Sequence, residues 1–143
     1  MLGQIVLGGL LVMLCSTVAG SSAMAMLAVL GRRGGWLTRG RQNLKMVLGL
    51  ILCTIWALMV VTISVGIWAG AFVTLDLFPT LEEAVYFSLV VFTTLGFGDL
   101  LLPPEWRILG GVMAVNGLLN VGILTAVIME VLRNLRARQK ETE

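Results

Sequence analysis

The sequence predicts an all-α membrane protein, in which three helices cross the bilayer and a fourth, shorter helix enters it without crossing. The first supporting observation is composition. Hydrophobic residues make up 58% of the 143 residues, and charged residues only 13%. A soluble domain carries about 25% charged residues, so this chain lacks the charge to cover a water-facing surface. The second and third observations are the lengths of its apolar runs and the placement of its charges.

Three apolar runs are long enough to cross a membrane, which takes about 20 residues. They cover residues 2–30, 46–75 and 108–129, and none contains a charged residue. The small residues of Ala23-Met24-Ala25 also resemble the cleavage site of a secretory signal peptide. However, the run begins without a positive charge and exceeds the usual length of such a peptide. We therefore predict a permanent N-terminal transmembrane helix over residues 1–31.

A shorter helix is predicted over residues 81–93. Thr80 is a favoured N-cap residue, and Glu82 and Glu83 place negative charge in the first turn, where the helix dipole favours it. About 12 residues at a rise of 1.5 Å reach only halfway across the bilayer core. This length is typical of a helix that enters the membrane from one side and turns back.

The positive charges predict the orientation, because they mark the cytoplasmic side. One basic cluster lies in a loop over residues 32–45, and a second begins at the end of the third run and continues into a tail over residues 136–143. Acidic residues dominate the loop between the second and third runs. We expect a multi-pass protein of the cell membrane, with its N-terminus outside and its C-terminus in the cytoplasm. The basic residues are Arg32, Arg33, Arg39, Arg41, Lys45, Arg133, Arg136, Arg138 and Lys140.

Some further residues have expected positions in this topology. Trp36, Trp68 and Trp106 fall near predicted interfaces, where aromatic anchors are common, whereas Trp56 falls near mid-membrane and is expected to pack. Cys15 and Cys53 sit in apolar runs and are interpreted as small buried hydrophobic residues. The chain has no histidine, and no catalytic group, cofactor or nucleic-acid partner is predicted, so we expect a protein that is not an enzyme.

Glycines alternate with other residues directly after the short helix, in Thr94-Leu95-Gly96-Phe97-Gly98. Irregular backbone at membrane depth is tolerated only where protein buries it or a watery path hydrates it. Glycine adopts backbone angles that other residues resist, so this alternation can turn successive carbonyls toward one axis. A line of carbonyls can replace the water shell of a cation, and Asp99 adds a negative charge at the outer end.

The segment Thr93-Thr94-Leu95-Gly96-Phe97-Gly98-Asp99 resembles the selectivity filter of the potassium channel family. The resemblance extends to Ala84-Val85-Tyr86-Phe87-Ser88, which looks like the family's aromatic pore helix, and to residues 106–129, which look like its inner helix. Roughly residues 44–135 are covered. The implied pore domain spans 46–135, with an outer helix over 46–75, a pore helix over 81–93, a filter over 94–99 and an inner helix over 107–135. The N-terminal helix lies outside this pattern.

The resemblance implies roles for individual residues. The carbonyls of Thr94, Leu95, Gly96 and Phe97 would bind K⁺, with Gly98 completing the filter and the Thr94 hydroxyl forming the innermost site. One chain supplies a quarter of the ring, so a homotetramer is implied. Leu95, Phe97 and Val90 replace the valine, tyrosine and glutamate of some members, and Phe97 is expected to pack with Tyr86 and Phe87. The residues expected to support the filter are Thr93, Asp99, Tyr86, Phe87 and Val90.

The third run carries a proposed cavity and gate. Its glycines either allow close helix packing or act as a gating hinge. Gly117 is the best match to the hinge position that the resemblance to the potassium channel family implies. Asn116 and Asn120 share a helical face and either bond between helices or line a cavity. Glu130 either pairs with Arg133 or acts as a proton sensor. The residues assigned to the cavity and gate are Leu118, Val121, Thr125, Met129, Gly117, Gly122 and Glu130.

These expectations lead to one main functional prediction, passive K⁺ conduction through a tetrameric, carbonyl-lined filter. A weakly selective monovalent cation channel is the first alternative, because Phe97 lacks the hydroxyl present in other members. A non-conducting membrane scaffold or regulatory subunit is a more remote one. The bilayer is the expected surrounding, and the basic loop over residues 32–45 could also bind anionic lipids.

Overall fold

The computed structural model describes residues 1–32 and 42–140, with side chains at 1–29 and 47–133. Within these ranges the chain forms four α-helices and one 3₁₀ helix, and no strand. They are α1 (Leu2–Arg32), α2 (Gln42–Thr74), α3 (Leu81–Phe92), the 3₁₀ helix Pro104–Trp106 and α4 (Arg107–Lys140). Most of the predicted basic loop lies outside the described residues, as do the last residues of the predicted tail and Trp36.

Three of the helices are long and apolar enough to cross a membrane. The qualifying stretches are Leu2–Val29, Val47–Thr74 and Pro104–Arg133. Each exposes large apolar side chains on its outer face, such as Leu10, Ile55 and Val115, as a lipid-facing helix does. The predicted all-α membrane fold with three crossing helices is therefore confirmed for the described part of the chain.

Helix α3 begins as the sequence predicts. The Thr80 side chain accepts a 3.2 Å hydrogen bond from the Glu83 backbone N–H, and Glu82 and Glu83 occupy the first turn. The helix has 12 residues, which at 1.5 Å per residue gives a length of about 18 Å. This is too short to cross a bilayer core of about 30 Å.

An aromatic cluster joins α2 to α3. Phe87 of α3 packs edge-on against Phe72 of α2, with ring centroids 5.5 Å apart, and also contacts Phe78 at 5.0 Å. Trp68 lies 5.8 Å from Phe72 and is completely buried. Its prediction as an interfacial anchor is therefore wrong, because the indole ring is held inside the protein rather than at its lipid-facing surface.

A second core lies at the opposite end of the helices and joins α1, α2 and α4. Ala19 and Ala23 of α1 meet Trp56 of α2 and Leu124 of α4 there. Trp56 is thus a packing residue, as predicted. Cys53 is buried in this core and Cys15 in the other, and both are free thiols, which agrees with their interpretation as small buried residues.

Candidate functional site

The segment Thr93–Asp99, which follows α3, has a left-handed backbone at every second residue. The φ angles are +59° at Thr94, +59° at Gly96 and +78° at Gly98, and the residues between them do not have positive φ. Glycine takes such angles freely, but Thr94 has a Cβ and pays a strain of about 1–2 kcal/mol. Strain of this kind persists only where the surrounding structure enforces it, and it is commonest at functional sites.

Hydrogen bonds hold the first half of this segment to the last turn of α3. The Thr94 N–H donates to the Val91 carbonyl at 2.9 Å, and the N–H groups of Leu95 and Gly96 both donate to the Val90 carbonyl, at 3.0 and 3.3 Å. The amides of residues 94–96 thus point back toward α3. Their carbonyls are therefore left available to another ligand.

Thr93 forms the junction between α3 and the segment. Its N–H and its hydroxyl both donate to the Leu89 carbonyl, at 3.0 and 2.8 Å. These bonds place Thr93 at the C-cap of α3, where the sequence predicted that this helix ends.

The outer end of the segment is held by a side-chain pair. The Tyr86 hydroxyl donates to Oδ2 of Asp99 at 2.7 Å. This hydrogen bond lowers the pKa of the Asp99 carboxyl below its ordinary value, and it raises the pKa of the Tyr86 hydroxyl. The sequence indicated both residues as supports but did not predict their bond. Tyr86 is the only tyrosine in the chain, and its hydroxyl was the sequence feature that could have suggested this bond.

Behind the segment lies a cavity of about 260 Å³, bounded by α3, the segment and the start of α4. Val90 and Tyr86 line it from α3, Asp99 from the segment and Arg107 from α4. Because this space is not filled by packed side chains, the Tyr86–Asp99 bond is a specific tie between α3 and the outer end of the segment.

The large side chains of the segment are uncovered within one chain. Leu95 is 58% exposed and Phe97 66% exposed. Phe97 was expected to pack with Tyr86 and Phe87. Within the described residues no ring contact joins them, since Phe87 packs instead with Phe72 and Phe78. A single chain thus leaves two large apolar side chains beside its most irregular backbone without a cover.

Helix α4 meets the end of α3 at Gly117. A Cβ on Gly117 would lie 1.8 Å from the Phe92 carbonyl oxygen, so only glycine allows this approach. The contact supports the packing interpretation of Gly117. A bend there would have to separate α4 from Phe92. Gly122 differs, because a Cβ there would meet nothing within 4 Å.

Two asparagines of α4 lie on its buried side. Asn116 and Asn120 are both completely buried, and the Asn120 side-chain N–H donates to Oδ1 and to the backbone carbonyl of Asn116, at 2.9 and 3.0 Å. They therefore do not lie on the open face of α4, and their mutual bonds are within one helix rather than between helices.

The residues assigned to a cavity lie on the opposite, exposed face of α4. This face is available to line a space or to meet another chain. Toward the C-terminal end of α4, Glu130 forms an ion pair with Arg133, one turn away. This agrees with the interpretation of Glu130 as a partner of Arg133. The exposed residues are Leu118, Val121, Thr125 and Met129.

Comparison with known proteins gives one match. The family model described as "Ion channel" matches residues 59–134, which is more than half of the chain and contains about half of α2, all of α3, the 93–99 segment and most of α4. No curated protein and no solved structure matches the chain. All of α1 lies outside the matched range.

Proposed function

Because the chain belongs to this ion channel family, we propose that it is one subunit of a homotetrameric, potassium-selective channel. The family is one of ion channels and not of enzymes, and the three crossing helices make the chain a multi-pass membrane protein. The observation that supports a potassium-selective channel in particular is the alternation of left-handed backbone at Thr94, Gly96 and Gly98. Such alternation allows successive carbonyls to face the same side, as cation coordination requires.

In this proposal the carbonyls of Thr94, Leu95, Gly96 and Phe97 bind K⁺ in place of water. The amides of residues 94–96 are already bonded to α3, which supports the assignment because it fixes the peptide planes before an ion arrives. Four copies of the segment around one axis would form the ring of carbonyls. K⁺ is the transported ion and moves passively, down its electrochemical gradient.

The exposed side chains of Leu95 and Phe97 support assembly into a tetramer. Large apolar side chains beside an irregular backbone are expected to be covered, and within one chain they are not. A neighbouring copy of the chain would supply the cover. We place the N-terminus outside and the basic loop and C-terminal tail in the cytoplasm, because of the distribution of positive charge.

The test is K⁺ flux into liposomes that contain the purified full-length protein. We expect flux that barium blocks and that Gly96→Ala abolishes, because alanine resists the +59° φ at this position. Gly111→Ala is the matched control, since a Cβ at Gly111 meets nothing within 4 Å. Absence of flux from the wild-type protein would favour the scaffold or regulatory subunit and contradict the proposal.

Selectivity needs a separate measurement. Reversal potentials in mixed K⁺ and Na⁺ solutions should follow the K⁺ gradient. A reversal potential that responds equally to the two ions would instead identify a weakly selective cation channel.

A further inference from the structure

Helix α1 packs closely against α4 through small residues. A Cβ on Gly8 would lie 2.8 Å from Cγ1 of Val112, so the two helices approach each other tightly at this point. Cys15, Ala19 and Ala23 are buried further along α1. A Cβ on the adjacent Gly9, in contrast, would meet nothing within 4 Å. The close approach to α4 therefore involves the face of α1 that carries Gly8.

Cys15 is the point where this face meets polar groups of both other crossing helices. Its thiol lies within interaction distance of the side chains of Asn116 on α4 and of Ser64 and Trp68 on α2. All four side chains are completely buried. Within the described chain, Asn116 Nδ2 and Trp68 Nε1 have no hydrogen-bond partner. Cys15 shares a buried cluster with Trp68, and it accepts no hydrogen bond from either nitrogen.

Asn116 is fixed from its other side as well. The Asn120 amide donates to Oδ1 of Asn116 at 2.9 Å, so the Asn116 side chain is held from within α4. The next residue, Gly117, is the one that meets the Phe92 carbonyl. Phe92 ends α3, and the 93–99 segment follows directly. The contacts thus run without a gap from α1 to the base of this segment.

We propose that α1 is a built-in brace, which acts through Cys15 and Asn116 to hold α4 against the end of α3 and so stabilises the base of the 93–99 segment. The helix that lies wholly outside the matched channel domain would thereby set how readily the segment changes its conformation. Any effect on conduction rests on the function proposed above. The effect on the stability of the segment does not.

Amide hydrogen exchange of the full-length protein in lipid nanodiscs tests the proposal without a need for conduction. The amides of residues 94–96 are the reporter, because each donates to a carbonyl of α3. Gly8→Val should separate α1 from α4, and Gly9→Val is its neighbour with free space. We expect exchange at residues 94–96 to be faster on the order of two- to thirtyfold in Gly8→Val. Residues 124–131, in the second core, should keep their rates.

A second pair of variants removes a thiol instead of adding bulk. Cys15→Ala should speed exchange at residues 94–96, whereas Cys53→Ala, in the second core, should leave it unchanged. Equal exchange at residues 94–96 within both pairs would overturn the proposal. Faster amide exchange across all helices would also overturn the proposal, because it would show that α1 stabilises the whole fold and not this segment in particular.

Flux measurements on the same variants separate the two proposals. A changed K⁺ flux in Gly8→Val, together with faster exchange, supports both. If the wild-type protein does not conduct but exchange changes as expected, the brace is supported and the channel function is contradicted.

Discussion

The Tyr86 hydroxyl donates a 2.7 Å hydrogen bond to Oδ2 of Asp99, and this bond joins the outer part of α3 to the last residue of the 93–99 segment. At its inner end the segment is held by backbone bonds to α3. At the outer end the described residues show one side-chain tie, with a cavity beside it. The outer end should therefore be more easily released than the inner end.

Tyr86→Phe tests this difference, because it keeps the ring and removes only the hydroxyl. Without the bond, the conducting conformation of the segment should be lost faster. We expect the K⁺ current to decay at least about twofold faster during sustained opening. The measurement is the time course of current in planar bilayers.

Thr62→Val is the control for this substitution. It also removes a hydroxyl, but one that is exposed on α2 and bonds within its own helix, to the Leu58 carbonyl. Its current should decay like that of the wild-type protein. Equal decay in Tyr86→Phe and wild type would show that the bond does not stabilise the segment.

The pH dependence of the decay follows from the shifted pKa values of the same pair. The pKa of Asp99 is lowered, so its stabilisation is complete above the ordinary value of about 3.9 and is lost as pH falls through the lower folded value. The pKa of Tyr86 is raised, so its stabilisation is complete below about 10 and is lost as pH rises through the higher folded value. The decay should therefore be constant between about pH 5 and 9.

Two variants separate the limbs of this profile. Asp99→Asn should remove the acid limb and keep the alkaline limb, when the current is recorded over the whole pH range. Tyr86→Phe should remove the alkaline limb and weaken the acid limb, because it removes the bond that is the largest cause of the lowered pKa of Asp99. A decay that changes steeply near neutral pH in the wild-type protein would contradict this assignment.

The sequence predicts the helices of this protein better than it predicts their contacts. The start of α3 was predicted because Thr80 caps it by a local bond, and the crossing helices because their apolar runs have the length that a bilayer demands. The burial of Trp68 was not predicted. In a membrane both lipid-facing and protein-facing sides of a helix are apolar, so the pattern along the helix does not reveal which side is buried.

The candidate site shows the same difference between local features, which the sequence predicts, and tertiary contacts, which it does not. The alternating glycines indicated an irregular backbone at Gly96 and Gly98, and the structure has positive φ at both. The Tyr86–Asp99 bond and the approach of Phe92 to Gly117 depend on how α3 lies against its neighbours. Such tertiary contacts are not encoded in any local spacing, so they became visible only in the folded chain.

Gly117→Ala should strongly destabilise the protein. The added Cβ would lie 1.8 Å from the Phe92 carbonyl oxygen, and neither of the two backbones can move without disturbing its helix. We expect a loss of about 3 kcal/mol or more in the free energy of unfolding. Reversible unfolding of the purified protein in mixed detergent micelles measures it.

Gly111→Ala is the matched control on the same helix, because its Cβ would meet nothing within 4 Å. Alanine forms helices better than glycine by about 1 kcal/mol, so this variant should be at least as stable as wild type. Equal stability of the two variants would show that α3 and α4 do not approach each other as described.

Asn120→Ala should destabilise the protein by leaving a polar atom of Asn116 without its donor. In the wild-type chain the Asn120 amide bonds both oxygens of the buried Asn116. Its removal should lower the free energy of unfolding by about 1–2 kcal/mol. Thr54→Val is the control, because that hydroxyl is exposed and bonds only within α2, to the Leu50 carbonyl.

The double variant Asn116→Leu/Asn120→Leu distinguishes loss of a hydrogen bond from loss of packing volume. Replacing both partners by apolar groups of similar size leaves no orphaned oxygen, so part of the stability lost in Asn120→Ala should return. The contact between Asn116 and Cys15 would still be lost in the double variant. Amide exchange at residues 94–96 should therefore be faster than in the wild-type protein, even though the free energy of unfolding recovers. A double variant with slow exchange at these residues would mean that Asn116 is not the link between α1 and the segment.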